Sequence, residues 1–194
     1  MIIRLAETQD LEQILAVYAP YIKDTAITFE TVVPGAPEFC QRFEAVTGSF
    51  PWLVCAEGDQ ILGYAYAAKH RDRIAYQWSV ESSVYLGAGA QGRGMGKKLY
   101  KALIDLLTLQ GIVNVYGLIT TPNEKSVGLH RSLGFNEFAL FEKIGYKQAA
   151  WHDVQWMLLV INEHLTKQAD PVPFPELIQD IRVQEVLLEA NQHG

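Results

Sequence analysis

The chain has 194 residues, 49% of them hydrophobic and 20% charged, a length and balance that predict one folded domain and leave little room for a second. A formal net charge of −6, with no basic stripe and no single-sign run, argues against a nucleic-acid partner. No apolar run approaches the roughly 18 residues that a membrane span needs, so no membrane partner is expected either. Cys40 and Cys55 form neither a C-x-x-C spacing nor a disulfide framework, and both read as small buried hydrophobes. The opening MIIRLAETQD has no basic and apolar leader, so a reducing, cytoplasmic location is expected.

Residues 2–5 read as a short strand, and Thr8 as the cap of a helix carrying Leu11, Ile14, Leu15, Val17 and Tyr18 at helical spacing. A polar stretch with Pro34 and Pro37 follows, and a second helix is predicted from near Glu38. The apolar runs 52–56 and 61–68, separated by EGDQ, predict a hairpin. Residues 75–86, AYQWSVESSVYL, are rich in aromatic and β-branched residues and predict one long strand. Leu99, Leu103, Leu106 and Leu107 give residues 98–110 an amphipathic helical pattern ending at Gly111. VNVYGLIT, residues 113–120, is a further strand, and Pro122 leads into a helix to about Leu133, stopped by Gly134. Two last strands are expected near 138–145 and 154–161. Pro171, Pro173 and Pro175 mark a break after His164. The expected organisation is therefore a domain over residues 1–165 and a C-terminal extension over 166–194. That extension reads as a linker plus a short helix burying Leu177, Ile181 and Leu188. A hairpin first and strand–helix crossovers later make a mixed α/β domain.

The densest signal lies between Gly87 and Gly96, where five glycines fall in ten residues. GAGAQG satisfies G-x-G-x-x-G, but the next strand ends in Thr120, Thr121 and Pro122, with no acid to hold a dinucleotide ribose. The unit also follows a hairpin in mid-chain. A P-loop is excluded because Gln91 stands where its first glycine belongs and Lys98 where Ser or Thr belongs. A tight turn without a ligand is the plainer alternative. Against it, Gly92, Gly94 and Gly96 free the backbone amides just where a helix begins, and Lys97 and Lys98 lie in its first turn. Bare amides at the positive end of a helix dipole make an anion site.

The segment QGRGMG after a strand resembles the Q/R-x-x-G-x-G/A signature of the Gcn5-related N-acetyltransferase (GNAT) superfamily, and NEKSVGLHRSLGF is similar to its second signature. The resemblance runs from about Ile3 to Leu165. Within the superfamily, TFE at residues 28–30, RDRIAYQWSVESSVYL and GYKQAAWHDVQWM look like the phosphinothricin and methionine sulfone–sulfoximine N-acetyltransferase branch. The resemblance implies a central, mostly antiparallel sheet with a splayed strand pair at the acetyl-CoA site and helices on both faces. It also implies acetyl-CoA as co-substrate, with the pyrophosphate on the backbone of Gln91, Gly92, Arg93, Gly94, Met95 and Gly96, and Lys97 opening the helix. Free strand backbone at Tyr85, Leu86, Gly87 and Ala88 would pair with the pantetheine arm. Many branch members have His-Pro-Asp where this chain has Gly87-Ala88-Gly89. Asn123 matches the family's cofactor-contacting asparagine, with Ser126 beside it.

For the chemistry, the resemblance implies direct acyl transfer from a thioester to an amine, with Glu81 in the position of the branch's general base. Strand alternation puts Glu81, Ser83 and Tyr85 on one face, with Val80, Ser82 and Val84 on the other. Glu81 is expected to be buried among aromatic residues. His130 stands where many members carry an acidic tyrosine, and it reads as an acid, a cofactor contact or a packed helix histidine. Arg71 and Arg73 can fork an acidic group of the acceptor. With Phe29, Glu30, Ile74, Ala75, Ser83, Val84 and Tyr85 they make the expected substrate wall. His70, His152, His164 and His193 lack metal-ligand spacing, so no metal is expected. The branch implies a homodimer with its site near the subunit interface, a small amino-acid-like amine as acceptor, and an activity of the antibiotic- or herbicide-resistance kind. The competing readings are an acetyltransferase of another amine (a protein N-terminus, a polyamine, a drug) and a non-catalytic acyl-CoA sensor.

Overall fold

The structure is a computed structural model that describes residues 1–192; His193 and Gly194, the end of the expected extension, lie outside the described residues. In chain order it has strand β1 (Ile2–Leu5), helices α1 (Leu11–Asp24) and α2 (Ala36–Thr47), and strands β2 (Trp52–Glu57), β3 (Gln60–Lys69) and β4 (Ser79–Leu86). Helix α3 (Met95–Gln110), strand β5 (Asn114–Thr121) and helix α4 (Glu124–Ser132) follow. Strands β6 (Asn136–Lys147) and β7 (Ala150–Val160) and helices α5 (Phe174–Leu177) and α6 (Ile181–Gln192) complete it. The strands form one sheet in the order β1-β2-β3-β4-β5-β7-β6, antiparallel except where β4 meets β5.

That exception positions the site. β4 and β5 pair only at Ser79↔Asn114, Val80↔Val115 and Glu81↔Tyr116. Past this point residues 82–86 and 117–121 run on with no ladder between them, each still held by its other neighbour, β3 or β7. The expected mixed α/β fold is observed, with its splayed pair and helices on both faces.

Alternation along the strands feeds two cores. On one face α3 lays Leu99, Leu103, Leu106 and Leu107 over Leu53, Cys55, Ala65, Val80 and Val115. On the other, α1 and α2 lay Ile14, Tyr18, Ile22, Phe39 and Phe43 over Trp52, Val54 and Tyr64. The WLVCA run of β2 is apolar throughout because it is buried from both sides.

Several expectations are corrected. Thr8 does not cap α1: the carboxylate of Asp10, gripped by Arg4 at 2.6 and 2.7 Å, takes the Glu7 amide at 2.8 Å and organises a 3-10 turn over Thr8–Asp10. The long strand over 75–86 is shorter, because residues 74–76 turn through Tyr76 N–H to Arg73 O and Gln77 N–H to Ile74 O, and pairing starts only at Ser79. α3 begins at Met95, three residues early, since Gly94 in a left-handed conformation (φ 75°) starts the helix directly. Cys55 is buried, but Cys40 is half-buried with its thiol toward Glu44. In the tail, Leu177 is buried as expected, whereas Ile181 and Leu188 are 68% and 58% exposed. The helical phase is set by Val183, Leu187 and Ala190, which with Val186 pack into the α3 core, leaving 181 and 188 on the far side.

Candidate active site

The end of β4 is built by alternation. His70 N–H bonds Ser79 O, and Gly87 N–H bonds Leu62 O at 2.8 Å, so the odd-numbered residues turn their backbone toward β3. Ser82, Val84 and Leu86 therefore turn theirs toward the gap. This corrects the expected set of free backbone groups. Tyr85 is committed to β3 opposite Tyr64, and the Gly87 carbonyl also accepts from Ala90 N–H. Leu86 does face the gap, but its carbonyl accepts from Tyr21 Oη at 2.6 Å and its amide lies 3.4 Å from the same oxygen. Ala88 is carried off into a 3-10 turn over Ala88–Ala90.

The glycine loop follows. Gly92 (φ 76°) and Gly94 (φ 75°) both need the left-handed region. The Met95 side chain goes into the core beside Cys55, and a Cβ on Gly96 would stand 3.3 Å from Leu86, so both offer only backbone to the outside. Gln91, Gly92, Arg93 and Gly94 are exposed, as is Lys97. Arg93 reaches Glu57 at 3.6 Å, and Gln91 donates to Tyr21 Oη at 3.3 Å. The amides of Met95, Gly96 and Lys97 precede the first bond of α3, from Lys98 N–H to Gly94 O at 3.3 Å, and have no partner within the helix. An open groove of about 640 Å³ lies between α1 and this loop, lined by Pro20, Tyr21, Leu62, Leu86, Ala88 and Gln91 among others. Across the gap, Asn123 caps α4 by accepting from Ser126 N–H at 3.2 Å.

Glu81 lies on the α1 side, at the last paired position before the gap. The carboxylate is not buried as expected: the side chain keeps a third of its exposure, and Oε1 stands 2.9 Å from Nδ1 of His70. The aromatic surroundings are present, because His70 stacks on Tyr116 (4.7 Å, 26°) and meets Tyr76 and Trp156 edge-on. From the sequence His70 stands out only as one of four histidines without metal-ligand spacing. No local sequence signal marks it: what brings it to Glu81 is the β3–β4 register, in which Ala68, two residues before His70, pairs with Glu81. Tyr85 packs edge-on against Tyr18 and Tyr21.

His130 lies on the other side of the sheet and is 4% exposed. Its Nδ1 bonds Ser126 O at 2.8 Å and its Nε2 meets Tyr100 Oη at 3.0 Å, which in turn lies 2.5 Å from Ser82 Oγ. Burial holds the imidazole below its ordinary pKa, partly opposed by the Ser126 carbonyl. This is a packed, neutral histidine, two hydrogen bonds removed from Ser82 of β4 and seated against Gly117 of β5.

The expected substrate wall divides. Phe29 covers Gly145, where any Cβ would strike its ring, and the Lys147 ammonium beneath donates to Thr28 O at 2.7 Å. Glu30 is held by Arg42 at 2.9 Å and by Tyr18 at 3.0 Å, so its charge is already matched. Arg71, Arg73, Ile74 and Ala75 lie on the exposed turn before β4, with Ile74 76% exposed. Ser83 is half-buried between Glu81 and Tyr85, while Val84 packs on the α3 side. Among the described residues no group of three or more His, Cys, Asp or Glu is arranged to hold a metal. None of the described helices is long and apolar enough to cross a membrane.

Residues 3–156 match the acetyltransferase (GNAT) domain family. The chain is 34% identical over 152 residues to a phosphinothricin N-acetyltransferase of Streptomyces viridochromogenes, covering 78% of this chain and 83% of that one. It is 32% identical over 171 residues to an L-methionine sulfoximine/L-methionine sulfone acetyltransferase of Salmonella typhimurium, covering 87% and 99%. Among solved structures it is similar to a GNAT superfamily phosphinothricin acetyltransferase from Sinorhizobium meliloti in complex with AcCoA, with a TM-score of 0.83, 34% identity, and coverage of 88% and 94%.

Proposed function

The chain belongs to the GNAT acetyltransferase family and is an N-acetyltransferase that uses acetyl-CoA, and we propose that its acceptor is the amino group of a small amino-acid-like molecule of the phosphinothricin or methionine sulfone–sulfoximine type. The observation that carries the reading is the coincidence of Glu81 with the last β4–β5 pair, where the gap opens toward the glycine loop. The amides from Gln91 to Gly96 take the pyrophosphate, and the inward-facing backbone of Val84 and Leu86 lines the path of the pantetheine arm. The thioester then comes to rest near the apex, within reach of Glu81. The ammonium gives one proton to the carboxylate, the freed nitrogen bonds to the acetyl carbon, the C–S bond breaks, and the second nitrogen proton passes to the departing sulfur, so that coenzyme A is released as the thiol. Arg71 and Arg73 hold the acidic group of the acceptor in bidentate fashion.

A homodimer follows from the same reading. Ile74 and Tyr76 on the arginine turn, and Phe138, Leu140, Ile144 and Trp151 on the β6–β7 hairpin, are exposed apolar side chains. Patches of this kind mark interaction surfaces, and a second copy would cover them while enclosing the arginines. The free thiols of Cys40 and Cys55 suit a cytoplasmic enzyme.

The test is Glu81→Gln. Acetyl-CoA affinity should stay within about twofold while kcat/KM for the amine falls by roughly 10²-fold at pH 7, less at higher pH where free amine forms unaided. Near wild-type turnover would exclude Glu81 as the base. Thiol release with a panel of amines identifies the acceptor: equal rates with amines lacking an acidic group would exclude the amino-acid-like class.

A further inference from the structure

We propose that His70 is a positioning residue for Glu81: its Nδ1–H holds one carboxylate oxygen so that the other is presented to the acceptor amine. The inference rests on the reading of Glu81 as the base, and adds to it a residue that the family signatures in this chain do not contain.

The arrangement follows from register. β3 and β4 pair Ala68 with Glu81, and His70 N–H continues the ladder to Ser79 O at 3.4 Å. His70 is thus the diagonal neighbour of Glu81 on the same face, within reach for a long side chain. Ala68, directly opposite Glu81, carries only a methyl group and leaves the space that the imidazole fills. Nδ1 stands 2.9 Å from Oε1. An ionised carboxylate can only accept, so the proton of this bond is on Nδ1.

The ring is held on three sides. It lies flat on Tyr116 at 4.7 Å, and Tyr116 is itself the β5 residue paired with Glu81. Tyr76 from the preceding turn and Trp156 from β7 meet it edge-on at 6.0 and 5.8 Å. The histidine side chain is 11% exposed against 34% for Glu81. The less mobile partner therefore sets the geometry, and the more open one faces the reactants. Of the elements packed around the ring, β4 supplies the carboxylate of Glu81, while the turn, β5 and β7 supply Tyr76, Tyr116 and Trp156. The Arg71 guanidinium donates to the His70 carbonyl at 3.4 Å.

In the reaction one ammonium proton passes to the carboxylate oxygen that His70 leaves free, the C–N bond forms, the C–S bond breaks, and the second nitrogen proton passes to the departing sulfur. His70 keeps its Nδ1 proton throughout and touches no reacting atom. Such a group acts by fixing the attack geometry, and its removal should lower kcat with little change in donor binding.

The experiment compares His70→Phe, His70→Asn, Glu81→Gln and the double variant His70→Phe/Glu81→Gln at pH 7. Phe keeps the stack on Tyr116 and removes the N–H; the Asn amide can stand near Nδ1. We expect His70→Phe to lower kcat/KM for the amine about tenfold, chiefly in kcat, with the acetyl-CoA KM within twofold and an unchanged melting temperature. His70→Asn should recover at least half of that loss on a logarithmic scale. The double variant should be no worse than Glu81→Gln, as for two residues acting through one group. Losses that multiply in the double variant would overturn the inference, as would an Asn variant no better than Phe. A large Glu81→Gln loss with a silent His70→Phe sinks only the role of His70. A silent Glu81→Gln sinks the base itself.

Discussion

The Tyr21 hydroxyl, on α1, donates to the carbonyl of Leu86 at 2.6 Å and accepts from the side-chain amide of Gln91 at 3.3 Å. One phenol thus ties the last residue of β4 to the first turn of the glycine loop. Tyr21→Phe keeps the ring contact with Tyr85 and removes these bonds together with the longer one from the Leu86 amide at 3.4 Å. The expected result is a loss of about 1 kcal/mol in stability and a roughly three- to tenfold rise in the acetyl-CoA Kd, because the loop must then be ordered by the ligand itself. Calorimetric titration and a denaturant series measure both; an unchanged Kd would mean that Gln91 and Leu86 are held by other contacts.

Gly94 is the N-cap of α3 at φ 75°, and a Cβ there would meet no atom within 4 Å. Strain, not a clash, is the cost of a side chain within the free protein. The new methyl group would project into the space over the first-turn amides, where the pyrophosphate is expected. Gly94→Ala should weaken acetyl-CoA binding modestly, and Gly94→Val at least tenfold, about 1.4 kcal/mol, with the fold retained. Equal affinities for the three proteins would remove the loop from the cofactor site.

How far these features were readable depends on the range of the interaction behind each. The glycine spacing and the amphipathic stripe of α3 are local, and residues 87–110 carry them openly, although the left-handed Gly94 starts the helix three residues before the stripe does. The position of Glu81 on its strand was legible by alternation, since Val80 and Val84 are apolar and must face the α3 core. Its partner His70 was not, because eleven residues and an irregular turn separate them, and only the β3–β4 register joins them. Tyr21 acts across 65 residues, with no local signal at either end. The phase of α6 was misread because Ile181 and Leu188 share one helical spacing as well as Val183, Leu187 and Ala190 share another. Only contact with α3 and β1 chooses between them.

That choice gives the next prediction. Val183 is fully buried, Phe174 and Leu177 lie in the same core, and Asn191 brackets the Ile3 backbone with bonds of 2.7 Å from N–H and 3.0 Å to the carbonyl. Val183→Ala should cost about 1–3 kcal/mol by opening a cavity, whereas Ile181→Ala, on the exposed side, should change stability by less than ~0.5 kcal/mol. Urea midpoints compare them. The reverse order would mean that α6 turns its other face to the protein.

Acid should act through Asp10. Its carboxyl is held below the usual aspartate pKa first by hydrogen bonding from Arg4, with the Glu7 amide helping and burial opposing. A depressed folded-state pKa means that the unfolded chain takes up the proton more readily. The contribution is therefore complete above the unfolded pKa and is lost as pH falls through the folded one. Asp10→Asn should be destabilised at pH 7, with the difference from wild type shrinking toward about pH 3. A difference that stays constant over that range would assign Asp10 a purely steric role.

The buried face of the gap makes the last prediction. A Cβ on Gly117 would stand 2.5 Å from Nε2 and 2.6 Å from Cδ2 of His130, so the glycine in β5 is the space in which that ring lies. The ring needs this space, because its Nδ1–H is committed to Ser126 O and its Nε2 must accept from the Tyr100 hydroxyl. A neutral imidazole does both, and burial, which lowers the pKa, keeps it neutral. Gly117→Ala would push the ring off Tyr100 and leave a buried hydroxyl without that acceptor. Overpacking of this kind costs about 1–3 kcal/mol, a fall in Tm of roughly 2–12 °C for a chain of this size. Replacing His130 with Ser makes room for the methyl group, so the double variant Gly117→Ala/His130→Ser should be less destabilised than the sum of the two single changes. Strict additivity in thermal melts would show that the ring has another place to go, and that Gly117 serves the strand and not the histidine.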